Sequence, residues 1–235
     1  MLRHLFAEPR RIDQGLILKA NAALGEYLAH IQRLERAGEI VGQKVRHWEV
    51  WVKGFYAALD ELEQSQFCST RYFQLIKHEY EEEMDTAERD HYHQHGYFYK
   101  NAIIRVFSIL DKLGFFLNDL LMLQTEKVKS RFSYFTVLRQ MHVRKIEVQL
   151  EQRLFNLKLT YEKPLDMLRD QRNMEIHSMN YELIDDLLQA NHTSAQGWNR
   201  IENMQENLAA LEKSFDMVCH TLIAIFTTAR NRQHA

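Results

Sequence analysis

Apolar residues recur at helical spacing along most of the chain, and polar ones fill the faces between them. Leu16, Ala20, Ala23, Leu24, Tyr27, Leu28, Ile31 and Leu34 predict a helix from about Asp13 to Ala37, closed by Gly38 and Gly42. Trp48, Val52, Phe55, Leu59 and Leu62 predict a second helix from about Val45 to Gln64, and Phe67 to Thr70 reads as a turn. A third stretch, Arg71 to about Tyr92, opens with Tyr72, Leu75 and Ile76, becomes acidic, and is predicted to be interrupted at Gly96. Tyr97 to Gln124 has the densest apolar pattern and is expected to be the central, most buried helix. Phe132 to about Leu159 reads as one further amphipathic helix. Pro164 suits the first position of the next, where its missing N–H is not needed. Thr193 and Gln196 have capping-box spacing ahead of a last helix through Thr228.

Composition narrows this to an all-α fold. Only two prolines and eight glycines punctuate 235 residues, too few turn formers for a protein of many short strands. The expected architecture is an antiparallel helical bundle of about six to seven helices. Residues 1–70 would form an N-terminal helical extension packed on a helical domain at 71–235. With 46% hydrophobic and 26% charged residues the chain can fill a core. No window approaches the 18 uncharged apolar residues of a membrane span and the start has no secretory pattern, so a cytoplasmic protein without membrane contact is expected. Cys68 and Cys219 lack metal-site spacing and read as buried free thiols.

Net charge is −2, which excludes a chain coated in positive charge, but its distribution is uneven. Lys127, Lys129, Arg131, Arg139, Arg144 and Lys145 form a basic run without an acidic residue. Glu79, Glu81, Glu82, Glu83, Asp85, Glu88 and Asp90 form an acidic one, broken only by Arg89. The basic run interleaves Phe132, Tyr134 and Phe135, a mixture suited to phosphate contact and base stacking. Lys129, Arg131, Tyr134 and Arg139 are therefore candidate substrate-binding residues, against the plainer reading of a solvated face with its aromatics turned inward.

Arg172-Asn173-Met174-Glu175-Ile176-His177 is the sharpest candidate for chemistry. Arginine offers a fixed cationic fork to phosphate oxygens, histidine titrates near neutral pH, and an amide can orient either. At 100° per residue, Leu165, Leu168, Ile176, Met179 and Leu183 fall within about 40° of the Arg172 direction, so this cation breaks an apolar stripe. It must meet a carboxylate, line a solvated cleft, or face a subunit interface. Asn173, His177 and Asn180 form a polar row beside it. His177 is roughly 140° from Arg172 on an ideal helix, so convergence needs a bend, the reach of the arginine, or a second subunit.

Arg172-Asn173-x-x-x-His177, late in an all-helical chain and followed by a long final helix, resembles the HEPN superfamily, whose hallmark is Arg-x(4–6)-His, often with Asn after the Arg. The likeness runs from about Arg71 to Thr228. The resemblance implies a metal-independent endoribonuclease without cofactor, in which two subunits of a homodimer line a shared cleft. Arg172 and His177 would be the catalytic pair and Asn173 would orient the histidine or hold phosphate. The alternative is a non-catalytic HEPN module that binds nucleotide, RNA or a partner protein, as in a toxin–antitoxin or defence system. A second alternative is a purely structural bundle whose Arg172 pairs with a carboxylate.

Other chemistry has less support. His91 and His95, with His93 between them, are spaced to share a metal, yet no His-Glu-x-x-His pattern or thiolate completes a set and no metal is expected. There is no Gly-x-Ser-x-Gly turn and no Gly-x-x-x-x-Gly-Lys loop, which argues against serine hydrolysis and nucleoside-triphosphate hydrolysis.

Overall fold

A computed structural model describes residues 2–177 and 198–232, with only the backbone of Ile176 and His177 included. Among these residues the architecture is all-α, as expected, with seven α-helices: α1 (Gly15–Arg36), α2 (Gly42–Phe73), α3 (Thr86–Leu120), α4 (Tyr134–Arg144), α5 (Val148–Thr160), α6 (Glu162–His177) and α7 (Met204–Asn231). Three 3-10 turns, Leu2–Phe6, Glu81–Glu83 and Thr125–Lys127, complete the regular structure. No described helix is long and apolar enough to cross a membrane.

The end of α1 follows from Gly38. Its φ of 74° lets the chain reverse while the Gly38 N–H bonds Glu35 and the Glu39 N–H bonds Leu34, satisfying carbonyls that the helix leaves open. The expected turn at Phe67 to Thr70 is instead the uninterrupted end of α2. Ser65 and Thr70 donate their hydroxyls back to the carbonyls of Glu61 and Gln66, four residues earlier, so these residues do not break the helix. Nor does Gly96 interrupt α3.

The real break lies earlier than expected, between Gln74 and Asp85. Asp85 caps α3 by accepting the Glu88 N–H at 2.8 Å. Glu88 in turn accepts the backbone N–H groups of Lys77 and His78, and its second oxygen meets the His78 ring at 2.8 Å. Burial alone would raise the Glu88 pKa, but these donors, backbone first and the His78 ring after, hold it down at about 2. A carboxylate with a depressed pKa stabilises the fold above its unfolded pKa near 4.5, and that contribution is lost as pH falls towards about 2. Glu88→Gln is expected to cost about 2 kcal/mol at pH 7. In urea unfolding, the gap between variant and wild type should narrow as the pH drops below about 4; a gap independent of pH would contradict the clamp.

Phe132 to Leu159, expected as one helix, is two. Lys145 and Glu147 adopt left-handed conformations, with φ of 54° and 49°. The Ile146 N–H bonds Met141 and the Lys145 N–H bonds His142, closing α4 as a glycine-ended helix would be closed. Pro164 sits in the first turn of α6, at its third rather than its first residue. Thr193 and Gln196 lie outside the described residues. The last helix starts at Met204, because residues 199–201 bond in extended form to Glu79 and Glu81. Asn203 then caps α7, accepting the Glu206 N–H at 3.2 Å.

The chain divides into two compact units. The first comprises Met1–Arg10, Glu61–Ile104 and Glu162–Ser214; the second Arg11–Asp60, Arg105–Tyr161 and Phe215–Ala235. The second is built on an aromatic cluster: Tyr27, Phe55, Phe116 and Phe226 are essentially inaccessible and make edge or stacked contacts with one another. Within it Gly114 is required by close approach, since a Cβ there would lie 2.8 Å from Tyr134 Cα. Gly114→Ala is expected to cost about 1–3 kcal/mol by forcing α4 away, read as a lower melting temperature; an unchanged melting temperature would show that α4 shifts freely. In the first unit, Tyr72 stacks on Phe98 and packs edge-on against Phe6. The central segment of α3 is buried as expected, from Tyr99 through Leu120, although Ile104 and Phe115 remain exposed.

Candidate functional site

Helix α6 carries the candidate residues of the first unit. Leu165 and Leu168 are fully buried, which confirms the N-terminal half of the predicted apolar stripe. Arg172, one turn further on, is half-buried, as is Asn173. The Arg172 Nη2 donates to the Asn173 side-chain oxygen at 3.1 Å, so the amide holds the guanidinium from the neighbouring position. His177 is the last described residue of α6; its side chain, with Asn180, Met179 and Leu183, lies outside the described residues.

Interactions on both sides of Arg172 and Asn173 fix the rotation of α6. Tyr99 of α3, 6% exposed, donates its hydroxyl to Gln171 at 2.7 Å, and Gln171 donates to Asn207 of α7 at 2.8 Å. Asn207 is itself buried. On the next turn Glu175 pairs with Lys100 of α3 at 3.4 Å. The two ties bracket the Arg-Asn pair, and the buried Tyr99 and Asn207 side chains find their partner, Gln171, on another helix. Sequence reasoning missed all of these residues except as helix fillers. The available signal was the polar sequence Gln171 and Glu175 beside an otherwise apolar stripe.

His95 sits in the same unit with zero exposure. Its Nδ1 lies 2.9 Å from the Ser69 carbonyl, which fixes the proton on that nitrogen, and its ring stacks on Tyr99. Burial pushes its pKa down, so it is neutral at physiological pH. His91 instead packs its ring against Tyr72, and His93 is exposed. The two imidazoles of the spaced pair are thus engaged with different partners. The acidic run is also accounted for locally: Glu79 pairs with Arg200, Glu82 accepts the Asn199 N–H, and Glu88 forms the clamp described above.

The remaining candidates belong to the second unit. Lys129 and Arg131 are exposed in the loop before α4, and Arg139 is exposed on α4. Tyr134 requires a correction: it is fully buried at the start of α4 and presents no face on which a base could stack. Phe132 likewise packs its ring 4.7 Å from that of Phe115. Helix geometry explains the difference, since positions 134, 137, 138 and 141 form the inward face of α4 and Arg139 lies off it. Both cysteines are buried free thiols, with burial pushing Cys68 up to about 11 and Cys219 up to about 12, so neither is a nucleophile near neutral pH.

Compared with known proteins, residues 51–230 match the model of a family described as Cthe2314-like HEPN. No curated protein and no solved structure matches the chain.

Proposed function

Because that match spans well over half of its length, the protein belongs to the HEPN family, and we propose that it is a metal-independent endoribonuclease acting as a homodimer. The observation that carries this reading is Arg172, half-buried where the apolar stripe of α6 breaks, with its guanidinium held by Asn173 at 3.1 Å. In the proposed reaction the ribose 2′-OH attacks the adjacent phosphorus and the bond to the 5′ oxygen of the next nucleotide breaks. The products are a cyclic phosphate and a 5′-OH. His177 takes the 2′-OH proton or supplies one to the leaving oxygen. Arg172 neutralises charge that builds on the phosphate oxygens, and Asn173 holds the guanidinium or the phosphate in place.

The ties of Gln171 and Glu175 to α3 support this reading, because a catalytic fork needs a fixed helix behind it. Two subunits are invoked because Arg172 and His177 leave an ideal helix in directions roughly 140° apart. Lys129, Arg131 and Arg139 would contact the RNA backbone, a role to which their exposure is suited. Residues 1–70 are taken as a helical extension of the domain at 71–235. The test is cleavage of a labelled RNA by purified protein with a metal chelator present, with cyclic-phosphate ends among the products. Tight RNA or protein binding without any turnover would favour the non-catalytic reading instead.

A further inference from the structure

In the first unit, helices α2 and α3 close over two polar side chains that solvent does not reach, Ser69 and His95. The His95 Nδ1–H donates to the Ser69 carbonyl at 2.9 Å, and the Ser69 hydroxyl donates back to the His95 carbonyl at 3.3 Å. The other ring nitrogen, Nε2, is buried and meets no hydrogen-bond partner among the described residues. A buried polar atom left bare is uncommon. Without a proton this one is a bare lone pair, whereas with a proton it becomes a buried N–H carrying positive charge, which is far costlier. The ring lies nearly parallel to that of Tyr99, with 9° between the planes and 6.0 Å between the centres, and the Phe73 ring of α2 packs at 6.0 Å. Tyr99 in turn donates its hydroxyl to Gln171 of α6, and Gln171 donates to Asn207. One ring contact and two hydrogen bonds thus run from His95 through the helix of Arg172 to α7.

We propose that His95 is an acid-sensitive latch on α6: the neutral ring, fixed by Ser69, seats Tyr99 on Gln171, and protonation of Nε2 unseats it. The proton has no acceptor in the closed packing, so it is taken up only when α2 and α3 part around the ring and admit water. An exposed histidine would not respond in this way, and a buried one with an acceptor at Nε2 could charge in place. Little charge is at hand to hold the proton. Glu202, ahead of α7, favours the protonated ring, but the Tyr92 hydroxyl already bonds it at 2.6 Å. Arg71 of α2 pairs with Glu8, Lys100 of α3 with Glu175 of α6, and the His91 ring packs against Tyr72. Burial is the largest influence and keeps the folded pKa below the ordinary value of 6.5. The opened ring therefore binds a proton that the closed ring rejects, and the latch contributes fully above pH 6.5 and is lost as the pH falls below it. It stands on packing within the first unit, and only its effect on RNA cleavage rests on the ribonuclease reading.

Hydrogen exchange of the full-length protein tests it, read on the amides of α6 and corrected for the chemical rate of exchange at each pH. Between about pH 7.5 and about pH 5.5, α6 is expected to lose protection at least tenfold, while α1, in the second unit, changes less than twofold. His95→Phe keeps a flat ring that cannot charge, so its α6 should be equally protected at both pH values. His91→Gln removes a neighbouring histidine of the same helix and should keep the wild-type loss. Should His95→Phe fail to fold, Tyr99→Phe decides, because it retains the ring and removes only the hydroxyl on Gln171. Its α6 is expected to be poorly protected at the higher pH already and to lose less than twofold more at the lower. No loss in the wild type, an equal loss in His95→Phe, or a wild-type response in Tyr99→Phe each overturns the latch. Exchange is read without RNA: a protein that cleaves with a pH-independent α6 loses only the latch, and one that shows the latch without cleaving loses only the ribonuclease reading.

Discussion

Purified His177→Ala protein is expected to cleave RNA about 10²–10⁴-fold more slowly than the wild type, the range that a positioned proton-transfer group contributes. Its melting temperature should change little. On an ideal helix His177 lies roughly 140° from the centre of the apolar stripe, and a substitution at such a position usually changes stability by no more than about 0.5 kcal/mol. The separation of the two effects is the informative part. A residue that merely supported the helix would alter stability and activity together, whereas an acid–base group alters rate alone. The pH–rate profile should also lose the limb that the imidazole supplies. With the cleft shared between two subunits, as proposed, activity per chain should fall on dilution. Cleavage by His177→Ala at the wild-type rate would remove His177 from the reaction and leave Arg172 as a binding group at most.

The largest expected loss of stability is at Phe226. Its ring is inaccessible and lies 4.9 Å from Phe116, 5.3 Å from Tyr27 and 5.5 Å from Phe55, centre to centre. Phe226→Ala removes one member from each of these pairs and leaves a cavity among three large rings that cannot collapse into it without losing their own contacts. The expected cost is about 3–5 kcal/mol, a large share of the roughly 5–15 kcal/mol by which a domain is stable. It should appear as a lower urea midpoint with an unchanged slope. Phe155→Ala serves as the contrast, because a ring that is 42% exposed has far less to lose. A cost below about 1 kcal/mol at Phe226 would mean that the cluster relaxes around the gap, contrary to close packing.

Much of this fold was legible because it is written in helical periodicity. The inward residues of α1, Ile17, Ala20, Ala23, Leu24, Tyr27 and Ile31, include most of those that the pattern selected, and Gly38 marked its end. Boundaries failed where side chains or backbone did something that composition does not announce. Thr70 was read as part of a turn and instead bonded backwards along α2 to the Gln66 carbonyl. The break between α4 and α5 falls on Lys145 and Glu147, which carry no turn signature. Asp85 and Glu88 did carry one, a cap with its partner three residues on, hidden within a run that read simply as acidic.

For the site, the Arg172–Asn173 pair and its place in the apolar stripe could be read directly, because both depend on neighbours within one helix. Tyr99, Lys100 and Asn207 could not. Each reaches α6 from another helix, 36 to 75 positions away in sequence, and periodicity carries no information about which helices become neighbours. Tyr134 failed for a related reason: interleaving with cations resembles a stacking platform until the helix register shows which way the ring faces.

Each compact unit is assembled from three separate stretches of chain, and α2, α3 and α7 each supply residues to both. No single cut therefore releases either unit as a fragment that could be made alone. A nick, a truncation or a fusion junction placed inside α2, α3 or α7 injures two cores at once. Tags, labels and tethers for studying this protein belong at its ends, where the chain belongs to one unit only, rather than in the loop that carries Lys129 and Arg131.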